Sequence, residues 1–134
     1  MGAKEKATAL HMRGFNCAQS VLGALGEYTG LDEATALSVA CGFGGGVSCG
    51  EICGAAAGAV MALGLVGSGT DPEDTVLRNK VRQLSGQFNR EFQQQFGCIR
   101  CVDLKKNRQP CPLLIEYAAE AAETMIKNQF EIKE

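Results

Sequence analysis

Apolar residues recur every three or four positions along most of this chain, and no stretch alternates apolar and polar residues with a period of two. The pattern predicts an all-α protein. A first amphipathic helix covers residues 3 to 13 and ends at Gly14. Asn16 is a natural N-cap for a second, with Phe15 as staple residue and Ala18, Val21, Leu22 and Leu25 on its buried face, closing at Thr29-Gly30. Asp32 caps a third, through Ala34, Leu37 and Ala40 to Cys41, which stops at Gly42. The stretch from Gly42 to Val66 then passes from a glycine-rich turn into small apolar residues. Ser48 followed by Glu51 has the spacing of a capping box, predicting a helix start at Cys49, with Cys53 one turn further on the same face. Gly50, Gly54 and Gly58 form a neighbouring stripe. Each glycine costs a helix about 1 kcal/mol relative to alanine, so the repeat points to a second helix packed closely against this one.

Gly67-Ser68-Gly69 reads as a flexible turn, and Asp71-Pro72 as an N-cap followed by proline at the first helical position. From there Leu77, Val81, Leu84, Phe88, Phe92 and Phe96 form one apolar stripe, a helix of about 24 residues and roughly 36 Å, capped by Gly97. Residues 98 to 110 read as a loop. Pro112 suits the first position of a last helix, with Cys111 as its N-cap and Leu114, Ala118, Ala121 and Met125 facing inward. The expected architecture is one domain over residues 1–134, a compact bundle of about six helices around the glycine- and alanine-rich one. Its expected core is Leu22, Leu25, Leu37, Ile52, Val60, Leu63, Leu77, Val81, Leu84, Phe88, Phe92, Phe96, Leu114 and Ala118.

Composition narrows the function classes. A net charge of -2 without basic blocks argues against nucleic acid or an anionic membrane surface as partner. The uncharged run from Ile52 to Val66 is about 15 residues, short of the roughly 18 to 20 that cross a bilayer, so no membrane span is expected. No basic-then-apolar leader opens the chain, which makes the cytoplasm the expected compartment. The glycine run at 42 to 46 follows no strand and precedes no GKS or GKT, a weak signal for phosphate binding.

What does change the picture is seven cysteines beside a single histidine, His11. In a reducing compartment that number suits redox or metal chemistry better than structural bridges. Cys17 opens a helix behind the Asn16 cap, where the positive helix end and free amides favour a thiolate; Cys111 is a second thiol at a helix start, with Lys105, Lys106 and Arg108 in the loop before it. Cys41, near a helix C-terminus, reads as a packing residue, and His11 as an ordinary residue at the core edge. Cys98 and Cys101 form a CxxC after a helix end rather than after a strand, so this is not a thioredoxin site.

At Cys17, at Cys53-Gly54-Ala55-Ala56-Ala57-Gly58, at Cys101 and at Cys111 the chain resembles the redox-active proteins named for a C, GCAxxG, C, C cysteine signature. Phe15-Asn16-Cys17-Ala18-Gln19, Gly42-Phe43-Gly44-Gly45-Gly46 and Phe96-Gly97 look like the same family, and the resemblance runs over nearly the whole chain. The chain departs from the family name in having cysteine before glycine at 53 and 54. The resemblance implies a small helical protein with a thiol redox role and assigns the family cysteines to Cys17, Cys53, Cys101 and Cys111, with Cys41, Cys49 and Cys98 as extras. A related helical domain is attached to some haem-carrying cytochromes, but Val102 after Cys101 leaves no CxxCH for haem attachment.

Two functions follow. The first is thiol-disulfide exchange or electron transfer, the work of a thiol-disulfide oxidoreductase, with Cys17 or Cys53 as nucleophile and the other resolving, and with a redox partner protein or a small thiol as reactant. The second is a metal or iron-sulfur site drawn from Cys17, Cys53, Cys98, Cys101 and Cys111, holding zinc or a cluster, for which a second CxxC is missing. The first requires no cofactor. The length of the fifth helix is compatible with a homodimer.

Overall fold

The computed structural model describes residues 2–67 and 71–130, so the predicted turn at Ser68 and Gly69 lies outside the described residues. Among them the chain forms α1 (Ala3–Met12), α2 (Cys17–Ala24), α3 (Gly26–Thr29), α4 (Glu33–Ala40), α5 (Gly54–Gly67), α6 (Thr75–Phe96), α7 (Cys101–Lys106) and α8 (Cys111–Gln129), and no strand. The fold is all-α.

Local signals account for several of these elements. Asn16 and Gln19 form a full capping box at the start of α2: the Gln19 amide donates to Asn16 Oδ1 at 3.0 Å and the Asn16 amide to Gln19 Oε1 at 3.0 Å. Asp32 Oδ2 accepts the Thr35 amide at 3.1 Å, and hydrogen bonding from the Thr35 side chain, followed by this amide, holds the exposed carboxyl below its usual pKa. The predicted second helix is two, because the chain breaks at Leu25 before α3. At α6 the cap is Asp74, whose Oδ1 accepts the Leu77 amide at 3.1 Å; Asp71, the expected cap, instead accepts the Glu73 amide in a turn ahead of the helix. Gly97 ends α6 in the left-handed conformation, as expected.

Helices α2 and α5 form the central pair. Helix α2 packs on α1, α4, α5 and α8, while α5 also meets α6 and α8. Ala55, Ala56, Ala59, Ala62 and Leu63 of α5 are fully buried, so the small-residue helix is central as its composition implied. Phe88, Phe92 and Phe96 of α6 gather with Tyr117 of α8; the Phe96 and Tyr117 rings meet edge to face at 5.2 Å. The expected core holds at Leu22, Leu25, Leu63, Leu84, Phe88, Phe92, Leu114 and Ala118, and Leu37, Val60, Leu77, Val81 and Phe96 are half-buried. Ile52 is the miss: it is 40% exposed, because it lies before α5 in an extended segment rather than on a helix face.

Glu123 of α8 joins three helices. Its Oε2 accepts the Ala3 amide at 3.1 Å, at the start of α1, and the Tyr28 hydroxyl at 2.8 Å, from α3. Burial, then the hydrogen bond and charge of Glu123, hold the Tyr28 hydroxyl neutral well above the ordinary tyrosine value of 10.0. Unfolding frees that phenol to ionise, so its contribution is complete below pH 10.0 and is lost as the pH rises beyond it. Glu123→Ala removes both bonds and leaves a phenol without its acceptor, and is expected to lower stability by about 2 kcal/mol in urea denaturation at neutral pH.

Candidate functional site

The first cysteine of the site is set by the cap of α2. Besides its capping bonds, Asn16 donates through Nδ2 to the Cys41 carbonyl at 2.9 Å, and Gln19 through Nε2 to the Leu37 carbonyl at 3.0 Å. The start of α2 is thereby fastened to the end of α4, and Cys17, half-buried, is its first helical residue as expected.

The second and third cysteines are set by a contact between segments far apart in sequence. The Cys53 amide donates to the Ile99 carbonyl at 2.8 Å and the Cys101 amide to the Glu51 carbonyl at 2.6 Å, an antiparallel bridge centred on Ile52 and Arg100. Arg100 closes over it with two hydrogen bonds to Glu51, at 3.2 and 3.1 Å. From this bridge each chain turns into a helix. Cys53 directly precedes α5, and its carbonyl accepts the Ala57 amide at 2.9 Å, so it is the N-cap of that helix; Cys101 is the first residue of α7.

This geometry overturns the helix start expected at Cys49. Residues 46–50 form a wide turn: Gly45 and Gly46 take positive φ, and Val47 and Ser48 follow them with φ of 59° each. A left-handed conformation costs a residue with a side chain about 1–2 kcal/mol. Here Ser48 Oγ donates to the Gly42 carbonyl at 2.9 Å and the Glu51 amide to the Gly46 carbonyl at 3.0 Å, bonds that hold the turn. Ser48 and Glu51 are therefore occupied elsewhere, Cys49 and Cys53 share no helix face, and Gly50 is not part of the glycine stripe.

The fourth cysteine follows Pro110, whose extended backbone ends the preceding loop and whose carbonyl accepts the Leu113 amide at 3.0 Å. Pro110 is thus the N-cap and Cys111 the first residue of α8, one position later in the helix than expected. The loop predicted between Cys98 and Pro110 contains α7, so Lys105 and Lys106 are helical.

Cys17, Cys53, Cys101 and Cys111 line one cavity of about 220 Å³. Four helix beginnings, those of α2, α5, α7 and α8, meet there, each bringing a thiol. Leu104 and Leu114 supply apolar wall, and His11 of α1 and Lys105 of α7 are among the other lining residues. A larger, shallower depression of about 330 Å³ lies between α6 and α8 and contains no cysteine.

The thiols are not equivalent. Cys53 is 3% exposed, and burial pushes its thiol up to about 11; the Ala56 and Ala55 amides pull in the other direction, while Cys17 and Cys101 add to the rise. Cys111 is exposed as a residue, yet partial burial of its sulfur, followed by Cys17 and Cys101, raises its thiol as well, with Lys105 opposing. The helix start expected to favour a thiolate at Cys111 is outweighed by burial and by neighbouring sulfurs.

The remaining cysteines stand outside. Cys41 is exposed, against the expectation of a packing residue, since the chain turns at Cys41–Phe43 and leaves it facing out of the bundle. Cys49 is exposed and bonds the Gly46 carbonyl; Cys98 sits 3.6 Å from Asn107 Nδ2 and lies outside the cavity. The five-cysteine metal set is therefore not gathered as a whole, and among the described residues no group of three or more His, Cys, Asp or Glu side chains is arranged to hold a metal ion.

Two glycines make the convergence possible. A Cβ at Gly54 would overlap Cys17 Sγ and come within 2.8 Å of the Phe43 carbonyl oxygen; one at Gly58 would come within 2.8 Å of the Ala18 carbonyl oxygen. Helix α2 thus lies directly on the bare backbone of α5, with the Cys17 sulfur resting over its first turn. His11, missed in the sequence, is a lone histidine on an ordinary helix, and only the packing of α1 on α2 and α8 brings it to the cavity.

Residues 15–125 match a family model described as "Putative redox-active protein (C_GCAxxG_C_C)". No curated protein and no solved structure matches the chain.

Proposed function

This chain belongs to the C_GCAxxG_C_C family of redox-active proteins, and from that premise we propose that it carries out thiol-disulfide exchange in the cavity where four helices begin. The observation that carries the reading is that Cys17, Cys53, Cys101 and Cys111, from four separate helix starts, line one space. Cys17 suits the nucleophile. It is half-buried, opens a helix of 8 residues and rests over the first turn of α5. Cys53, buried and with its thiol raised to about 11, is a poor attacker of external reagents and suits the resolving role.

In the proposed reaction the Cys17 thiolate attacks one sulfur of a small disulfide, the disulfide bond breaks, and one thiol leaves with a proton. Cys53 then loses its proton and attacks Cys17 Sγ, releasing the second thiol and forming an internal disulfide. Two electrons pass from the protein to the small disulfide. The pocket holds a fragment-sized group, since cavities for larger ligands run to about 300–1,000 Å³. Small thiols and disulfides therefore fit better than a folded protein's disulfide.

A thiolate-held metal ion or cluster is the second reading and draws on the same four sulfurs. Thiol exchange is the better supported, because among the described residues no group of three or more His, Cys, Asp or Glu side chains is arranged to hold a metal ion. The test is to incubate reduced protein with one equivalent of a small disulfide such as cystamine and count titratable thiols, with metal analysis on the same sample. The expected result is a fall of two from the chain's seven, with Cys17 among those lost, and recovery on reduction. No loss at Cys17, or stoichiometric zinc or iron holding all four sulfurs, would overturn it.

A further inference from the structure

We infer that His11 is the base of the cavity, taking the proton of Cys17 through Nε2. The inference rests on the thiol-exchange reading and concerns how its nucleophile is activated.

His11 Nδ1 lies 3.1 Å from the Phe15 carbonyl oxygen. A carbonyl can only accept, so Nδ1 carries the hydrogen, and in the neutral ring Nε2 is left with a free lone pair. The ring lines the same cavity as Cys17, and it is the chain's only histidine. The hydrogen bond fixes both tautomer and ring orientation from the segment that leads into Cys17, so imidazole and thiol are held by one short stretch of chain. A third group thus orients the ring, and the imidazole and the thiol line one cavity.

The titratable and charged groups facing the same space are Cys17 of α2, Cys53 ahead of α5, Cys101 and Lys105 of α7, and Cys111 of α8, and no carboxylate among the described residues lines it. His11 is thus the cavity side chain, apart from the thiols, with a basic lone pair free to accept a proton. The proton balance follows. Cys17 Sγ–H gives its proton to Nε2; the thiolate attacks the small disulfide; the imidazolium returns the proton to the departing thiolate. The neutral ring is restored before Cys53 needs it for the second step.

The test is the pH dependence of Cys17 alkylation by iodoacetamide, read by mass spectrometry, in the native protein and in His11→Asn. Asparagine can still donate to the Phe15 carbonyl but has no basic nitrogen. At pH 7 the variant is expected to react about tenfold more slowly, the equivalent of one unit in thiol pKa, and added imidazole should restore part of the rate. Above pH 10 the two proteins should converge, because the thiol then ionises unaided. An unchanged profile, or a slowing by the same factor at every pH, overturns the inference; the second outcome would mark His11 as a positioning residue. Neither outcome alters the loss of two thiols to cystamine, so failure here is distinguishable from failure of the exchange reading.

Discussion

Gly54→Ala is expected to lower stability by about 2–3 kcal/mol, and Gly58→Ala by a similar amount. A single methyl group at 54 overlaps the Cys17 sulfur and presses on the Phe43 carbonyl oxygen; at 58 it presses on the Ala18 carbonyl oxygen. Two of these obstacles are backbone atoms of packed segments, so α2 and α5 must separate or tilt, and overpacking of this kind costs about 1–3 kcal/mol, occasionally more. Alanine gains about 1 kcal/mol in helix propensity, which offsets part of that cost. Gly64, on the same helix, has nothing within 4 Å of its Cβ position. Gly64→Ala should therefore raise stability by about 0.5–1 kcal/mol through propensity alone. The urea midpoints of the three variants should split in sign along one helix; uniform effects would mean that α2 and α5 are not in contact as described.

The second large effect is at Cys17. Cys17→Ser should bring the reaction with cystamine down to the rate of the exposed thiols Cys41 and Cys49, because the hydroxyl cannot form a comparable nucleophile near neutral pH. Serine fits the same space, so the melting temperature should change little. Cys53→Ser separates the two steps: the first attack should persist and stall as a mixed disulfide on Cys17, visible as a mass increase of one thiol fragment. A variant at Cys17 that still loses two cavity thiols at the native rate would assign the attack to Cys101 or Cys111.

The stripe from Leu77 to Phe96, the caps at Asn16 and Asp32 and the stop at Gly97 were readable because each is decided by residues within one or two turns. Cys17 at a helix start was readable for the same reason. The start of the central helix was not. Ser48 and Glu51 have the spacing of a capping box, but the glycines ahead of them permit a left-handed turn, and the segment from Glu51 to Cys53 is held by residues 99–101. That contact spans more than a third of the chain, and no local pattern encodes it. The same bridge positions Cys101 to open α7, a helix of 6 residues too short to leave a period in the sequence. The cysteine signature stood in for this missing information: it grouped Cys17, Cys53, Cys101 and Cys111 without giving the reason, which is that each begins or immediately precedes a helix directed at one space. The pKa order within the group depends on burial, and so Cys111 carries a raised thiol where its helix position alone suggested the opposite.

Disulfide mapping decides whether four thiols from distant parts of the chain share one cavity. Reduced protein is treated with one equivalent of a small disulfide, remaining thiols are alkylated, and bridged peptides are identified by mass spectrometry. The expected bridges are confined to Cys17, Cys53, Cys101 and Cys111, with Cys17 joined to Cys53 first and Cys41, Cys49 and Cys98 alkylated. Bridges from Cys98 to Cys101 or from Cys41 to Cys49, with Cys17 and Cys53 still carrying alkyl groups, would contradict it.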